Sequence, residues 1–165
     1  MTPTEQFIQT LESLKAGDLG RLRNLADLPL DESVDGFDLF AGLWWPLRQK
    51  SQRAPRREVA WLIAKLYAFC PLPQVCGATL AGQLGKLPRQ EERAQDRRQQ
   101  RFDELLLLPL SGIEPALRWG LTLIADNGRK LDWVRLADEL SVWEREQTRR
   151  KWSMEFLGLN RSQTL

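Results

Sequence analysis

The sequence contains no histidine. That single absence removes Ser-His-Asp and Cys-His catalysis, imidazole metal sites and histidine pH switches. Cysteine is nearly as scarce, with Cys70 and Cys76 alone. Their spacing supports neither a C-x-x-C zinc pair nor a disulfide framework. No apolar run reaches the roughly 18 residues of a membrane helix, and the N-terminus lacks the basic-then-apolar pattern of a signal peptide. There is no glycine-rich phosphate loop, no H-E-x-x-H and no G-x-S-x-G. Carboxylates are plentiful, but none falls into a catalytic motif. The expectation is a reduced, soluble, cytoplasmic protein that is no enzyme, has no catalytic residue, metal or cofactor, and does not associate with membranes.

What is present suits a folded chain. The 165 residues are 42% hydrophobic and 28% charged, enough for one domain or two small ones sharing a core. The net charge is only +2, but it is unevenly placed. Residues 1–44 hold three basic and eight acidic side chains, residues 45–101 hold twelve and four, and residues 102–165 hold nine and ten. Eighteen of the 24 cations are arginine, whose planar fork suits phosphate and base stacking better than a lysine point charge.

The hydrophobic spacing is helical throughout. Thr2-Pro3-Thr4-Glu5 reads as a capping box with proline at the first helical position. Phe7, Leu11 and Leu14 follow on one face, with Gly17 as a stop. Asp18 then caps a short helix carrying Leu19, Leu22 and Leu25. Phe37 to Leu47 carries a further apolar stripe, and a basic connector follows it. Val59 to Phe69 reads as a strongly apolar central helix, and another helix is expected from Gly77 to Lys86. Ser111-Gly112-Ile113-Glu114 reads as a second capping box, opening a helix that Asn127-Gly128 closes. Asp132 is expected to cap one last long helix with Val134, Leu136, Ala137, Leu140 and Trp143 on one face, the stripe resuming at Trp152 and Phe156. There is no strand alternation and no repeat. The fold expected is all-α, with about eight helices in two small bundles, residues 1–88 and 89–165.

The strongest charge feature is Arg89, Arg93, Arg97 and Arg101, which recur every four residues with Arg98 beside them. On a helix they form one stripe about 18 Å long. Like charges at this spacing repel by a few tenths of a kcal/mol per pair, which Glu92 and Asp96 offset only in part at i,i+3 from Arg89 and Arg93, so the stripe calls for a polyanion or an acidic partner. The bland alternative is a solvated helix face. Of the seven tryptophans, Trp61, Trp119, Trp133 and Trp143 read as core. Trp44 and Trp45 are adjacent and cannot both face one core, because neighbours on a helix diverge by about 100°.

Three stretches also carry a resemblance. Pro55-Arg56-Arg57 leads into Val59-Ala60-Trp61-Leu62-Ile63-Ala64-Lys65-Leu66-Tyr67-Ala68. Gly77-Ala78-Thr79-Leu80-Ala81-Gly82-Gln83-Leu84 comes next, and then Leu131-Asp132-Trp133 followed by Leu136, Leu140, Trp143, Trp152 and Phe156. In this order and spacing, over roughly residues 5–158, the chain resembles the small subunit of the type I-E CRISPR surveillance complex Cascade, the CasB family. One motif departs: the Gly of the family's Gly-x-Ser-Leu-Gly falls one place later, as Ala81-Gly82. The Trp44-Trp45 pair has no place in that pattern.

The resemblance implies an all-α, two-domain, non-catalytic subunit. Two copies would sit beside the other Cascade subunits and the crRNA, hold the displaced single-stranded non-target DNA and stabilise the R-loop in antiviral defence. By matching position it points best to Arg56, Arg101 and Arg118 as nucleic-acid contacts, then to Arg21 and Arg23. Arg57, Arg97 and Arg98 rest more on charge than on register. The alternative is a helical protein–protein adaptor whose basic face binds an acidic partner without nucleic acid. A free-standing DNA-binding regulator would need a recognition helix with base-reading side chains, and none is evident.

Overall fold

The structure is a computed structural model that describes residues 1–29, Gly42, Trp44 and residues 55–158. The stripe expected from Phe37 to Leu47, most of the basic connector and Trp45 lie outside the described residues. Among those described there are eight α-helices: α1 (Pro3–Glu12), α2 (Ala16–Arg23), α3 (Arg57–Phe69), α4 (Leu80–Gly85), α5 (Glu92–Leu107), α6 (Glu114–Asp126), α7 (Trp133–Leu140) and α8 (Glu146–Phe156). A short 3-10 turn, Leu110–Gly112, joins α5 to α6. There is no β-strand among the described residues, only an isolated parallel bridge between Gln74 and Leu131. The all-α expectation holds.

The central element is α3. Ten consecutive residues, Val59 to Ala68, are buried, so this helix is covered on every side and needs no polar face. It packs on α2, α6 and α7. Around it, α1 lies on α7, α4 lies on α6 and α8, and α5 lies on α6 and α8. Packing therefore crosses residue 88 in several places, and one hydrophobic cluster runs from Phe7 and Leu11 through Leu84 to Trp152 and Phe156. The closest approach is at Gly85, where an added Cβ would overlap the Phe156 carbonyl. Phe102 stacks on Phe156 with ring centroids 4.1 Å apart, and Trp143 meets Trp152 edge-on at 4.9 Å.

Local signals explain several helix ends. The Thr2 hydroxyl accepts from Glu5 N at 3.2 Å while the Glu5 carboxylate accepts from Thr2 N at 3.0 Å, which is the expected capping box. Gly128 closes α6 with a φ of 66°, a conformation that costs glycine little. Asp132 caps α7 by accepting from Arg135 N at 3.0 Å, and it also accepts from Gln74 Nε2 at 2.7 Å and Gly77 N at 2.8 Å. Burial opposes its ionisation, but these hydrogen bonds outweigh that and hold its carboxyl below the ordinary range.

Five expectations are corrected. Helix α1 ends at Glu12, and Gly17 lies inside α2 rather than stopping α1; α2 begins before Asp18, which does not cap it. The helix expected from Gly77 begins only at Leu80, where the Thr79 hydroxyl accepts from Gly82 N. Ser111 does not cap α6, because it lies in the 3-10 turn and the Glu114 carboxylate is bonded elsewhere. The last long helix is two helices: turns over residues 141–144 separate α7 from α8 and bring Trp143 against Trp152.

Candidate nucleic-acid interface

Helix α5 begins at Glu92, so Arg89 precedes it and the helical stripe consists of Arg93, Arg97 and Arg101, about 12 Å long. All four arginines are exposed. Among the described residues no carboxylate lies within ion-pairing distance of any of them. The acids further along α5 are engaged by amides instead: Gln99 Nε2 donates to Asp103 at 3.1 Å and Gln100 Nε2 to Glu104 at 3.2 Å. Arg101 holds its guanidinium 4.8 Å from the centre of the Trp119 ring on α6. These arginines are therefore without ion-pair partners among the described residues, although the exposed Glu92 and Asp96 on the same helix offset part of their charge, and one member is backed by an aromatic plane.

The other arginines singled out from the sequence behave differently. Arg98 is 7% exposed and donates to the Pro88 carbonyl at 3.3 Å. It ties the start of α5 to the preceding loop and is not on the basic surface. Arg118 donates to both Asp27 oxygens, at 3.0 and 2.7 Å, and to Glu114 Oε2 at 3.0 Å. Its hydrogen bonds to Asp27 raise its pKa and lower that of Asp27. Its side chain is only 21% exposed. Its fork is already filled by two carboxylates, which gives Arg118 a structural role within the chain. Arg56 precedes the first residue of α3 without a side-chain capping bond and pairs with Glu144 at 2.9 Å. Arg57 lies 3.9 Å from Glu58, and Arg21 lies 3.8 Å from Asp18. Arg23 Nε reaches the Leu19 carbonyl at 3.5 Å. The structure thus brings Arg97 and Arg101 together on one helix face, leaves Arg21, Arg23, Arg56 and Arg57 on other elements, and ties Arg98 and Arg118 to partners within the chain.

One polar network was not foreseen. Lys65, in the apolar run of α3, donates to Glu114 Oε1 at 2.6 Å and to the Leu28 carbonyl at 2.9 Å. Glu114 Oε2 also accepts from Asp27 N at 2.9 Å. With Arg118, these groups clasp the chain at Asp27-Leu28 to α3 and α6. The available signal was a lone lysine inside Trp61-Leu62-Ile63-Ala64-Lys65-Leu66-Tyr67. A buried ammonium requires a partner carboxylate, but its identity is a tertiary fact. Trp44, half of the pair left unassigned, is buried and donates to the Pro55 carbonyl at 2.7 Å.

Among the described residues there is no group of His, Cys, Asp and Glu side chains able to hold a metal, and no helix long and apolar enough to cross a membrane. Burial pushes the Cys70 thiol pKa up, away from a reactive thiolate.

Fold and surface together define an all-α protein in which helices from both halves share one core and one amphipathic helix presents arginines without ion-pair partners among the described residues. Solved structures show the same fold. CasB from Thermus thermophilus matches at 24% identity with a TM-score of 0.72, over 96% of this chain and 99% of that one. CasB from Thermobifida fusca matches at 18% identity with a TM-score of 0.72, over 94% and 97%. CasB from M. ruber matches at 23% identity with a TM-score of 0.69, over 94% and 92%. The comparison with curated proteins finds no match. The family model described as CRISPR-associated protein Cse2 matches residues 18–156. The chain belongs to that family, the CasB subunits of the CRISPR Cascade complex.

Proposed function

We propose that this subunit steadies a type I-E Cascade complex on its target by holding the displaced non-target DNA strand, and that it does so without catalysis. The strand would lie along the exposed face of α5, on Arg93, Arg97 and Arg101, with Arg89 at its near end. The other subunits with their crRNA, and a second copy of this chain, complete the assembly. Residues 1–88 and 89–165 act as two lobes of this subunit.

One observation carries the reading. The stripe arginines have no carboxylate partner among the described residues, whereas Arg56, Arg118, Arg135 and Arg150 each have one within 3.1 Å. Repulsion along a helix persists in a sequence when a ligand relieves it. Phosphate contacts of this kind hold a strand without reading its bases, which suits a displaced strand whose complement is the one read, by pairing with the guide. R-loop formation is a near-balanced exchange, so a modest gain from strand capture shifts it.

The test is Arg93→Ala with Arg97→Ala in assembled complex, with subunit stoichiometry measured alongside target binding. Affinity for a duplex target should fall, and its log–log salt slope should flatten by about 0.7 for each lost single-strand phosphate contact. Affinity for a single-stranded target, which leaves no displaced strand, should change much less. Equal losses on both targets at full occupancy defeat strand capture. Reduced occupancy instead places these arginines at an acidic protein partner, the adaptor reading.

A further inference from the structure

Six tryptophans lie among the described residues, and five have the indole N–H bonded to a protein acceptor. Trp44 donates to the Pro55 carbonyl, Trp61 to Leu28, Trp133 to Leu72, Trp143 to Leu108 and Trp152 to Glu139 Oε2, all within 3.1 Å. Trp119 is the exception: among the described residues its Nε1–H has no acceptor. It is also only partly buried, at the edge of the core, while Trp133, Trp143 and Trp152 are at most 2% exposed. Trp119 Nε1 is not among the buried unpartnered atoms, so its N–H is open to solvent and available to an incoming acceptor.

The same indole supports Arg101, whose guanidinium lies 4.8 Å from the ring centre. Arg101 is the last member of the arginine stripe, so the aromatic plane lies where a strand following Arg93 and Arg97 would run. Aromatic rings and arginine planes are the two surfaces on which unpaired bases stack, and every base has such a face. The open N–H adds a donor for a phosphate or base oxygen at the same place.

We infer that Arg101 and Trp119 form a stacking platform for an unpaired nucleobase, set at one end of the phosphate-binding stripe. The inference rests on the reading of α5 as the strand-facing helix. It adds a requirement that phosphate contact alone does not make: the ligand must have exposed bases. In the platform Trp119 supplies the apolar floor, and Arg101 either extends the stack or swings to the adjoining phosphate.

The test compares two single-stranded DNA oligonucleotides of equal phosphate count, one bearing thymine and one abasic, titrated at low salt against the full chain. The wild type should bind the thymine strand roughly 5- to 150-fold more tightly, the range that stacking one base supplies. Trp119→Leu should bind both strands as the wild type binds the abasic one, with an unchanged salt slope. Trp119→Phe, which keeps an aromatic face, should retain most of the discrimination. Thermal melting of Trp119→Leu and Trp119→Phe shows whether the core edge is intact; should the leucine variant fail to fold, loss of discrimination in Arg101→Ala carries the same test. A wild type that binds both strands equally, or a folded Trp119→Leu that still discriminates, overturns the platform and leaves the phosphate reading standing. A chain that binds neither strand overturns both.

Discussion

Two sets of helical arginines have opposite surroundings. Arg118 lies on α6 between Asp27 and Glu114, with three hydrogen bonds at 2.7–3.0 Å to carboxylate oxygens. Arg93 and Arg97 lie on α5, exposed, with no carboxylate partner among the described residues. In the first set the positive charge is consumed inside the fold, where it fixes the Asp27-Leu28 segment to α3 and α6. In the second it is kept for whatever approaches from outside. Counting arginines cannot separate the two. What separates them is whether a carboxylate from a distant part of the chain arrives beside the guanidinium.

The largest effect should come from breaking the clasp at its shared carboxylate. Glu114→Ala leaves the Lys65 ammonium, whose side chain is 4% exposed, with only the Leu28 carbonyl as acceptor. Removing one partner of a buried pair costs roughly 3–5 kcal/mol. Lys65→Met should cost less, because Glu114 keeps Arg118 and Asp27 N. Chemical denaturation of both variants checks the order. A Glu114→Ala loss below 1 kcal/mol or so would show that the clasp is not structural, and Arg118 would become available as a ligand again.

A smaller loss, about 1–2 kcal/mol, is expected for Arg118→Ala, since Asp27 is half exposed and water screens that side of the pair. Its pH dependence has a definite sign. The bond from Arg118 lowers the Asp27 pKa below its ordinary value. The stability it contributes is therefore complete above the unfolded pKa, about 3.9, and is lost as pH falls through the depressed folded value. The gap between wild type and Asp27→Asn should be widest above about pH 4 and close below it. A gap that grows on acidification would mean Asp27 is not ionised in the fold.

Much of the fold was legible because it is written in local signals. The capping box at Thr2 and Glu5, the Asp132 cap, the Asn127-Gly128 stop and the fully apolar face of α3 each depend on residues within a few positions of one another. The break at residues 141–144 was missed because Trp143 continues the apolar stripe into it, and only packing of Trp143 on Trp152 distinguishes a turn from another helical turn. The candidate site was legible in part. Spacing put Arg93, Arg97 and Arg101 on one face. It also put Arg98 beside them, and a helix wheel cannot tell that this side chain turns inward to the Pro88 carbonyl. The ion pairs of Arg118 were illegible for a related reason. Its partner Asp27 is 91 residues away, beyond the reach of any spacing rule.

The smallest expected effect lies on the stripe and is the sharpest form of the comparison. Arg97 has a like charge four residues before it and another four residues after it. Arg97→Gln removes both repulsions and replaces one good helix former with another. Where Arg118→Ala destabilises, Arg97→Gln should leave the isolated subunit unchanged or more stable by a few tenths of a kcal/mol per relieved pair. The gain should be visible at low ionic strength and vanish near 1 M salt, where the screening length falls to about 3 Å. Thermal melting at the two salt concentrations measures it. A loss of 1 kcal/mol or more would exceed what exposed helix positions normally show. It would mean that Arg97 has a partner within the chain and belongs with Arg118. A gain means that this arginine costs the free subunit stability, a cost relieved only when an anion lies along α5.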